Sequence, residues 1–535
     1  MAIKKGILLI VVFVVICVAD KPCAVRKIKG QSVVCICNST YCDELKRMLP
    51  KAGKYIRYES NEAGARFEKS DGTLRDYSPT LKLDIMLELD PTKQFQKIKG
   101  FGGAVTDSAA INWKSLPPPA QKKLIASYFS KRGIEYNFLR VPIGGTDFST
   151  HKYAYNDLPT NDPSLSNFTL LPEDLDYKIP MIKAASAVAT SPIHNLATPW
   201  SPPDWMKDHV ELNMCGRLKK EYYQTFADYI HNFIDLYNDE GVPIWGLTPI
   251  NEPTNGISPD SKINCLGWSV DTMGQFIKDY LGPTIRNSNY SDVKILACDD
   301  QRPFLPYWVN GMFNIHPETL DFVDGLAVHF YFDNDLNTIV LDEINKIYPS
   351  KFLMNTEACE GISTGKGPVI LGSWDRAEHY IKDILQDLNY NFVGWIDWNL
   401  CLNLQGGPTW CDNPVDSAIL VDADNEEFIK QPVFYAMGHF SKFIPRGSRR
   451  IRVNSKGKKS ILNVAFITPQ KTAVVVLYNE GDPTIASIKV NDKQAIVPLE
   501  KKSVVTVEIM PEISAADNDS SRQGKGTNYY HSKGK

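Results

Sequence analysis

A short β-rich run followed by a turn and a helix pattern recurs through the middle of the chain. The β-rich runs are mostly apolar, as is typical of parallel strands that are buried on both faces. Eight strands alternating with helices predict a (β/α)8 TIM barrel, which is an α/β fold. The predicted strands are Ile98–Ala104, Asn137–Ile143, Ile193–Pro199, Ile244–Ile250, Lys294–Cys298, Gly325–Phe330, Lys351–Thr356 and Phe392–Trp398. The predicted helices include Pro119–Arg132, Ile179–Ala189, Leu218–Asp239, Val270–Asn287, Trp374–Asn389 and Pro432–Phe443.

Both flanks of the predicted barrel have the alternating pattern of half-buried strands and no helix pattern. Alternation is visible in residues 81–89 and again in parts of 461–478, 485–490 and 503–509. We therefore expect a discontinuous β-sandwich domain formed from both ends of the chain. The expected domains are a β-sandwich of residues 51–93 and 446–512 and a barrel of residues 94–445. Residues 513–535 are polar and lack apolar periodicity, which predicts a disordered tail.

The first 19 residues have the pattern of a signal peptide. Lys4 and Lys5 precede the apolar run Ile7–Val18, which ends at small Ala19. The run is short for a membrane span, so a cleaved signal is expected and an uncleaved anchor is the alternative. The mature protein should therefore be lumenal or secreted.

Cysteines crowd into the next segment, residues 20–50. Cys23, Cys35, Cys37 and Cys42 predict two short-loop disulfides in an oxidising compartment, and a zinc knuckle is the alternative. Six later cysteines are scattered, and most of them are expected to be free and buried: Cys215, Cys265, Cys298, Cys359, Cys401 and Cys411.

The bulk composition excludes several classes of function. The net charge of −3 argues against nucleic acid as a partner. Histidine-rich metal spacing and a phosphate-binding glycine loop are both missing from the sequence, so we expect no metal and no cofactor. Asn38, Asn167 and Asn289 begin glycosylation motifs, which fits an extracellular or lumenal protein. Asn518 begins a further motif in the predicted tail.

Two glutamates lie where predicted barrel strands end, and barrel enzymes place their chemistry at those ends. Glu252 follows the fourth strand within Asn251-Glu252-Pro253, and Glu357 ends the seventh. Glycoside hydrolysis needs one carboxyl group as acid/base and another as nucleophile or base. We expect Glu252, with a raised pKa, to be the acid/base and Glu357 to be the nucleophile. Either glutamate alone could instead be a helix-end or salt-bridge residue.

Other strand ends add aromatic, amide and charged side chains, a mixture that suits a carbohydrate site. Asn251 is expected to hydrogen-bond the sugar 2-hydroxyl. The side chains expected to set the charge and orientation of the glutamates, or to line the same site, are Arg140, Asp299, Asp300, Arg302 and His329. Purely structural roles remain alternatives for these residues. Trp200 and Trp398 could be core residues, Asp299-Asp300 a capping or ionic motif, and His329 a structural histidine.

Several motifs together resemble the animal acid β-glucosidases of glycoside hydrolase family 30. The motifs are Lys99-Gly-Phe-Gly-Gly-Ala, Asn137-Phe-Leu-Arg-Val-Pro, Asn251-Glu-Pro, Leu371-Gly-Ser-Trp-Asp-Arg, Gly394-Trp-Ile-Asp-Trp-Asn-Leu and Gly438-His-Phe-Ser-Lys-Phe-Ile-Pro. The resemblance covers about residues 22–509. It implies a retaining hydrolase that removes β-glucose from ceramide, with Glu252 as acid/base and Glu357 as nucleophile.

The resemblance also implies site residues, disulfides and partners. The implied sugar-binding residues are Asp147, Trp200, Asn251, Tyr331, Trp398 and Asn413. The implied disulfides are Cys23–Cys35 and Cys37–Cys42. The implied partners are glucosylceramide in membranes, a saposin-type activator and anionic lipid, with peripheral membrane association only.

The chain departs from the family at the expected mouth of the site. Vertebrate lysosomal members carry aromatic residues in the loops after both glutamates, whereas this chain has Ser261-Lys262-Ile263 and an aromatic-free stretch at 362–368. Glu360 adds a charge nearby. A secreted β-glucosidase or glycanase for another aglycone is therefore one alternative function, and a non-catalytic glycolipid-binding protein is another.

Overall fold

The computed structural model describes residues 21–81, 83–208, 214–257, 262–333, 338–362 and 367–510. The predicted signal peptide and the predicted tail of residues 513–535 lie outside this range. So do Ser261 and residues 363–366, which belong to the two loops that depart from the family. Among the described residues, no helix is both long enough and apolar enough to cross a membrane.

Eight parallel strands close into a barrel, as predicted. In chain order, barrel strands 1 to 8 are Gly100–Ala104, Phe138–Ile143, His194–Pro199, Ile244–Leu247, Lys294–Gln301, Gly325–His329, Phe352–Glu357 and Phe392–Asn399. Each strand pairs with its neighbours in chain order, and strand 8 pairs with strand 1. Two strands end three residues away from the predicted position: strand 4 ends at Leu247 instead of Ile250, and strand 5 continues through Asp299 and Asp300 to Gln301.

Helices surround the barrel at the predicted places. The α-helices are Asp107–Ser115, Pro118–Phe129, Ile179–Val188, Tyr223–Asp239, Val270–Phe276, Gly282–Arg286, Leu305–Ile315, Ile339–Ile347, Trp374–Asn389 and Pro432–Ser441. Two π-helical turns, Glu173–Lys178 and Ile277–Leu281, extend them, and 3₁₀ turns occur at Asp204–Met206, Lys220–Tyr222, Pro253–Ile257, Arg302–Phe304 and Pro317–Asp321. The sequence prediction missed Asp107–Ser115, Leu305–Ile315 and Ile339–Ile347.

A ten-stranded sheet built from both ends of the chain forms the second layer. Its early strands are Lys54–Asn61, Glu68–Thr73, Arg75–Asp76 and Ile85–Lys97, and its late strands are Arg449–Ser455, Leu462–Ile467, Ala473–Asn479, Thr484–Val490, Lys493–Leu499 and Ser503–Ile509. Side chains alternate along the central strand: Val475 and Leu477 join the core inside the sandwich, whereas Val474 and Val476 pack with the barrel core. Period-two alternation therefore gives one strand two buried faces.

The N-terminal cysteine segment pairs with an excursion that follows barrel strand 8. Strands Val25–Arg26 and Val34–Asn38 join Glu427–Lys430, Ile419–Asp422 and Leu402–Asn403 in a five-stranded sheet. The disulfides Cys23–Cys35 and Cys37–Cys42 are present as implied by the family resemblance. Of the three predicted glycosylation sites, Asn167 and Asn289 are exposed and Asn38 is half-buried.

The expectation for the later cysteines was wrong for two of them. Cys215 and Cys265 form a third disulfide, 50 residues apart in sequence. Their loops meet because Gly267 donates its backbone N–H to the carbonyl of Gly216, at 2.9 Å. Loop–loop contacts of this kind leave no periodic pattern in the sequence. Cys298, Cys359 and Cys401 are free and buried, and Cys411 is free and half-buried.

Candidate active site

A cavity of about 340 Å³ opens at the carboxyl ends of the barrel strands. Its lining includes most of the predicted site residues, namely Asp147, Trp200, Asn251, Glu252, Asp300, Tyr331, Glu357, Trp398 and Asn413. Arg140, Asp299 and His329 lie directly behind the lining and contact it. Strand geometry thus brings residues from all over the chain to one place.

Two carboxylates face each other across this cavity. Glu357 is the last residue of barrel strand 7, while Glu252 follows strand 4 after residues 248–251, which belong to no strand or helix. One carboxylate oxygen of each lies within 4.8 Å of the other. Glu252 has a left-handed φ of +43°, which is costly for a residue with a side chain. A backbone hydrogen bond of 2.9 Å from Glu252 N to the Asp299 carbonyl holds this conformation.

Each carboxylate is held on both of its oxygens. Arg140 Nη1 donates to Glu357 Oε2, and the Tyr331 hydroxyl donates to Oε1 at 2.8 Å. Gln301 Nε2 donates to Glu252 Oε1 at 2.7 Å, and Asn255 Nδ2 donates to Oε2 at 2.7 Å. The two side chains are therefore fixed in position before any ligand enters.

Asp299 connects the supports of both glutamates. It accepts hydrogen bonds from Arg140 Nη2 at 2.8 Å, from Thr248 Oγ1 at 2.7 Å and from Thr356 Oγ1 at 2.6 Å. His329 lies between Asp299 and Glu252, with its Nε2 3.1 Å from Asp299 Oδ1 and its Nδ1 2.9 Å from Glu252 Oε1. One buried aspartate thus orients both an arginine and a histidine.

A bulge in barrel strand 5 lets two consecutive aspartates serve the site. The register with strand 6 shifts between Cys298 and Asp300, and both Cys298 and Asp299 have positive φ. Asp300 lines the cavity and accepts the backbone N–H groups of Thr254 and Gln301, at 2.9 and 2.7 Å. In a regular strand the two side chains would point to opposite faces.

The charges of the supporting residues follow from burial and contact. Burial alone would lower the pKa of His329, but the charge of Glu357 and the hydrogen bonds to Asp299 and Glu252 raise it to about 10. Burial works against an ionised Asp299, yet the charge of Arg140 and the hydrogen bond with His329 hold its pKa well below the usual range. His329 is therefore an imidazolium at acidic and neutral pH.

The pKa values of the two glutamates are shifted in opposite directions, and the shift of Glu252 is opposite to the one expected from the sequence. Burial would raise the pKa of Glu252, but hydrogen bonds from His329 and Asn255 outweigh it and the pKa is lowered. Burial raises the pKa of Glu357, and the charges of His329 and Arg140 offset this only in part. The sequence did not reveal that an imidazolium touches Glu252, so the raised pKa expected for Glu252 was wrong for the unliganded site.

The rest of the lining has the composition of a sugar site. The rings of Trp200 and Trp398 stack 5.1 Å apart at an interplanar angle of 15°. Asn413 Nδ2 donates to Asp147 Oδ2 at 2.9 Å, and burial together with the charge of Glu357 raises the pKa of Asp147 to about 7. Arg140 Nη2 donates to Asn251 Oδ1 at 2.8 Å, which turns the amide nitrogen of Asn251 away from Arg140.

Arg302 does not support the glutamates, contrary to expectation. It belongs to the 3₁₀ turn that follows strand 5, and this turn directs its side chain towards helix Trp374–Asn389. There it contacts three buried carboxylates, Asp383 at 3.1 Å, Asp387 at 2.6 Å and Asp333. Its contribution to the site is therefore to hold loops in place.

Sequence reasoning missed several residues of the cavity. Gln301 and Asn255, which fix Glu252, gave no signal beyond their position after a strand end. Apolar residues at the mouth were also missed, because single exposed apolar residues in loops are common. The missed lining residues are Phe148, Thr254, Asn255, Gln301, Phe304, Phe332, Cys359 and Val415. Ile263 and Ile362 also line the cavity, and both belong to the loops that the sequence analysis placed at the mouth.

Known families match both domains of the chain. Residues 98–444 match the glycosyl hydrolase family 30 TIM-barrel domain, and residues 447–507 match the family's beta sandwich domain. Lysosomal acid glucosylceramidase of Mus musculus is 42% identical over 471 residues, which cover 87% of this chain and 90% of the mouse protein.

Solved structures agree with the fold. SrfJ from Salmonella typhimurium superposes with a TM-score of 0.78 at 25% identity, covering 85% of this chain and 99% of SrfJ. The endo-beta1,6-glucanase BT3312 has a TM-score of 0.73 at 24% identity, with 85% and 99% covered. Taken with the carboxylate pair at the barrel mouth, these matches establish that the chain belongs to glycosyl hydrolase family 30 and is a glycosidase.

Proposed function

We propose that this glycosidase cleaves the β-glucosidic bond of glucosylceramide and releases glucose and ceramide with retention of configuration. The separation of Glu252 and Glu357 is the observation that carries the proposal. Retaining enzymes place their carboxyl groups about 5–5.5 Å apart, whereas inverting enzymes need about 6.5–9.5 Å to admit a water. Carboxylate oxygens within 4.8 Å of each other support the retaining class.

In the first step, a Glu357 oxygen attacks the anomeric carbon and forms a glycosyl ester as the bond to the leaving oxygen breaks. Glu252 gives its proton to that oxygen. The proton comes from the buried pair that Glu252 forms with His329, whose Nδ1 lies 2.9 Å from Glu252 Oε1. In the second step, Glu252 takes a proton from water, which attacks the anomeric carbon and frees Glu357.

The remaining residues of the cavity lining bind the glucose unit before the reaction begins. The stacked pair Trp200 and Trp398 offers an apolar surface for the C–H face of the sugar. Asp147, held by Asn413, accepts from hydroxyl groups, and Asn251 donates its amide to the 2-hydroxyl. Tyr331 keeps Glu357 aimed at the anomeric carbon. Neither a metal nor a cofactor has a role in this mechanism.

The nucleophile assignment has a direct test. An activated 2-fluoro-glucoside should inactivate the enzyme by accumulating as a glycosyl ester, because the fluorine slows both steps and the activated leaving group speeds only the first. Mass spectrometry of the digested protein should place the adduct on Glu357. An adduct on another residue would contradict the assignment, and reversible inhibition without any adduct would contradict the double displacement.

The assignment of glucosylceramide as the substrate rests on the similarity to the mouse lysosomal enzyme. An assay with the substrate embedded in vesicles tests it. Glucosylceramide in vesicles with anionic lipid should be turned over faster than β-1,6-linked gluco-oligosaccharides. Omitting the anionic lipid should slow the reaction, as the predicted peripheral membrane association requires. Faster cleavage of the oligosaccharides would favour the glycanase alternative. The lysosomal or secreted location, the signal peptide, glycosylation and a saposin-type activator stay predictions.

A further inference from the structure

The third disulfide, Cys215–Cys265, lies against the turn that follows the proposed acid/base. This turn, Pro253–Ile257, carries Asn255, whose Nδ2 donates to Glu252 Oε2 at 2.7 Å. The Cys215 sulfur lies 3.6 Å from the backbone carbonyl oxygen of Asn255. Both cysteines are fully buried, so the contact belongs to the packed interior. A single residue, Asn255, thus separates the disulfide from the carboxyl group of Glu252.

Both chain segments that the disulfide joins contact this turn. In the segment of the second cysteine, Trp268 donates its backbone N–H to the carbonyl of Pro253, the first residue of the turn, at 3.2 Å. Gly267 donates its N–H across to the carbonyl of Gly216, next to the first cysteine, at 2.9 Å. A Cβ atom added to Gly256 would lie 2.1 Å from the Gly267 Cα, so only glycine permits this close packing. Displacement of either segment would therefore displace the turn.

We propose that the Cys215–Cys265 disulfide is a positioning element for acid catalysis, because it fixes Asn255 and Asn255 in turn aims the Glu252 carboxyl group at the leaving oxygen. The inference rests on the proposed function, since it takes Glu252 as the acid/base. The step that it serves is the transfer of the proton from Glu252 to the leaving oxygen.

The contacts of Glu252 explain why one lost partner would matter. Gln301 and His329 contact Oε1, whereas Asn255 donates to Oε2. Without Asn255 the carboxyl group is held at one oxygen only, and the terminal torsion of a glutamate is soft. Displacing a catalytic group by about 1 Å costs up to about 10²-fold in rate. The disulfide should therefore affect proton transfer more than any other part of the reaction.

A purely structural disulfide would behave differently. Such a bond stabilises a protein mainly by constraining its unfolded chain. Its removal lowers the melting temperature but leaves the chemistry of the molecules that remain folded unchanged. Stability and the dependence of the rate on the leaving group therefore separate the two roles.

The test uses dinitrophenyl, nitrophenyl and phenyl β-glucosides, and the readout is the slope of log(kcat/KM) against the pKa of the leaving phenol. A more basic leaving group depends more on the proton from the acid, so poorer proton transfer makes the slope steeper. The aryl groups are of similar size, which keeps their contacts at the cavity mouth comparable.

Removal of the disulfide in C215A/C265A should cost about tenfold more in kcat/KM on the phenyl than on the dinitrophenyl glucoside. We expect a partial loss because Lys207 Nζ also contacts the carbonyl oxygens of Met214 and Cys265, at 3.3 and 3.4 Å, and keeps the two segments together. Asn255→Ala, which leaves the disulfide intact, should steepen the slope at least as much. Adding C215A/C265A to Asn255→Ala should steepen it no further.

The matched control is C37A/C42A, which removes another disulfide whose cysteines lie outside the cavity lining. It should lower the melting temperature and keep the wild-type slope. A wild-type slope in folded C215A/C265A or in Asn255→Ala would overturn the inference, and so would an equally steep slope in C37A/C42A.

Folding of the cysteine variant is checked by circular dichroism before the assays. If C215A/C265A does not fold, C215V/C265A, which fills more of the space of the two sulfurs, takes its place. If neither variant folds, the fold itself requires the disulfide, and the inference is overturned. Failure of the wild type to cleave any β-glucoside, or a wild-type slope in Glu252→Gln, would instead refute the proposed function.

Discussion

The interior and the mouth of the active-site cavity differ in polarity. Its interior, which we call the polar floor, consists of Arg140, Glu252, Asp299, His329 and Glu357, and each of these makes at least two polar contacts. The mouth is lined by the apolar side chains Ile263, Phe304, Phe332 and Ile362, which we call the apolar rim and which offer no polar group to orient a ligand. The floor is thus pre-organised for one sugar and one reaction, as electrostatic catalysis requires. Apolar contact of the kind that the rim offers discriminates only weakly between ligands of similar shape.

The largest expected effect comes from removing the proton donor of the floor. Glu252→Gln keeps the shape of the side chain but cannot protonate a leaving oxygen. Hydrolysis of hexyl glucoside should fall about 10²–10⁴-fold. With a dinitrophenyl glucoside the first step needs little proton transfer, so azide should restore turnover and yield a β-glucosyl azide. A normal rate on hexyl glucoside would show that Glu252 is not the acid/base.

A smaller effect is expected when Asp299 loses its charge. Asp299→Asn should lower kcat about 10–100-fold, because Arg140 and His329 would lose their shared charged partner. Removing the negative charge lowers the pKa of His329, since it destabilises the imidazolium. The alkaline limb of the kcat/KM profile should therefore move to lower pH.

Thr356→Val is the matched control for Asp299, because it removes one hydrogen bond to Asp299 and leaves every charge in place. We expect a loss of a few-fold for this control and an unmoved alkaline limb. If both variants shift the limb equally, the charge of Asp299 is not what maintains the proton on His329.

The floor was largely predictable from the sequence, whereas Phe304 and Phe332 at the mouth were not. An apolar run that ends in a polar residue predicts a buried strand with a side chain at its tip, and Glu252, His329 and Glu357 all follow this pattern. Barrel closure then brings the tips together without further information. Contacts made by loops gave no comparable signal, which is why Arg302 was assigned to the glutamates and why the Cys215–Cys265 disulfide was missed.

The protonation states of the site residues were also not predictable from the sequence. The sequence indicated two glutamates with different roles, but their pKa order depends on which one touches His329. Similarly, the strand-5 bulge decides that Asp299 and Asp300 both face the site, whereas alternation alone would separate them. Positions of strand ends were therefore predictable, and the partners of each side chain required the three-dimensional structure.

The smallest predicted effect concerns the acidic cluster that holds the rim, formed by Asp333, Asp383 and Asp387 around Arg302. In the floor, Arg140 and His329 balance most of the negative charge, whereas in the acidic cluster one arginine faces three buried carboxylates. Trp395 Nε1 donates to Asp383 at 2.8 Å, Asn355 Nδ2 lies 3.4 Å from Asp387, and Gln386 accepts from Arg302. Burial and the charge of Asp383 raise the pKa of both Asp333 and Asp387 well above the usual range.

Carboxyl groups with raised folded-state pKa values bind more protons in the folded than in the unfolded protein. Their contribution to stability is therefore complete in acid and declines as the pH rises from about 4 through the folded-state values. The free energy of unfolding should fall by up to about 1.4 kcal/mol per pH unit for each such proton.

Asp387→Asn cannot ionise, so its urea denaturation midpoint should depend less on pH between about 5 and 7.5 than that of the wild type. The exposed Asp76, on the outer edge of the sandwich, provides the control Asp76→Asn, which should keep the wild-type dependence. Equal pH dependence in Asp387→Asn and the wild type would mean that the acidic cluster holds no extra proton.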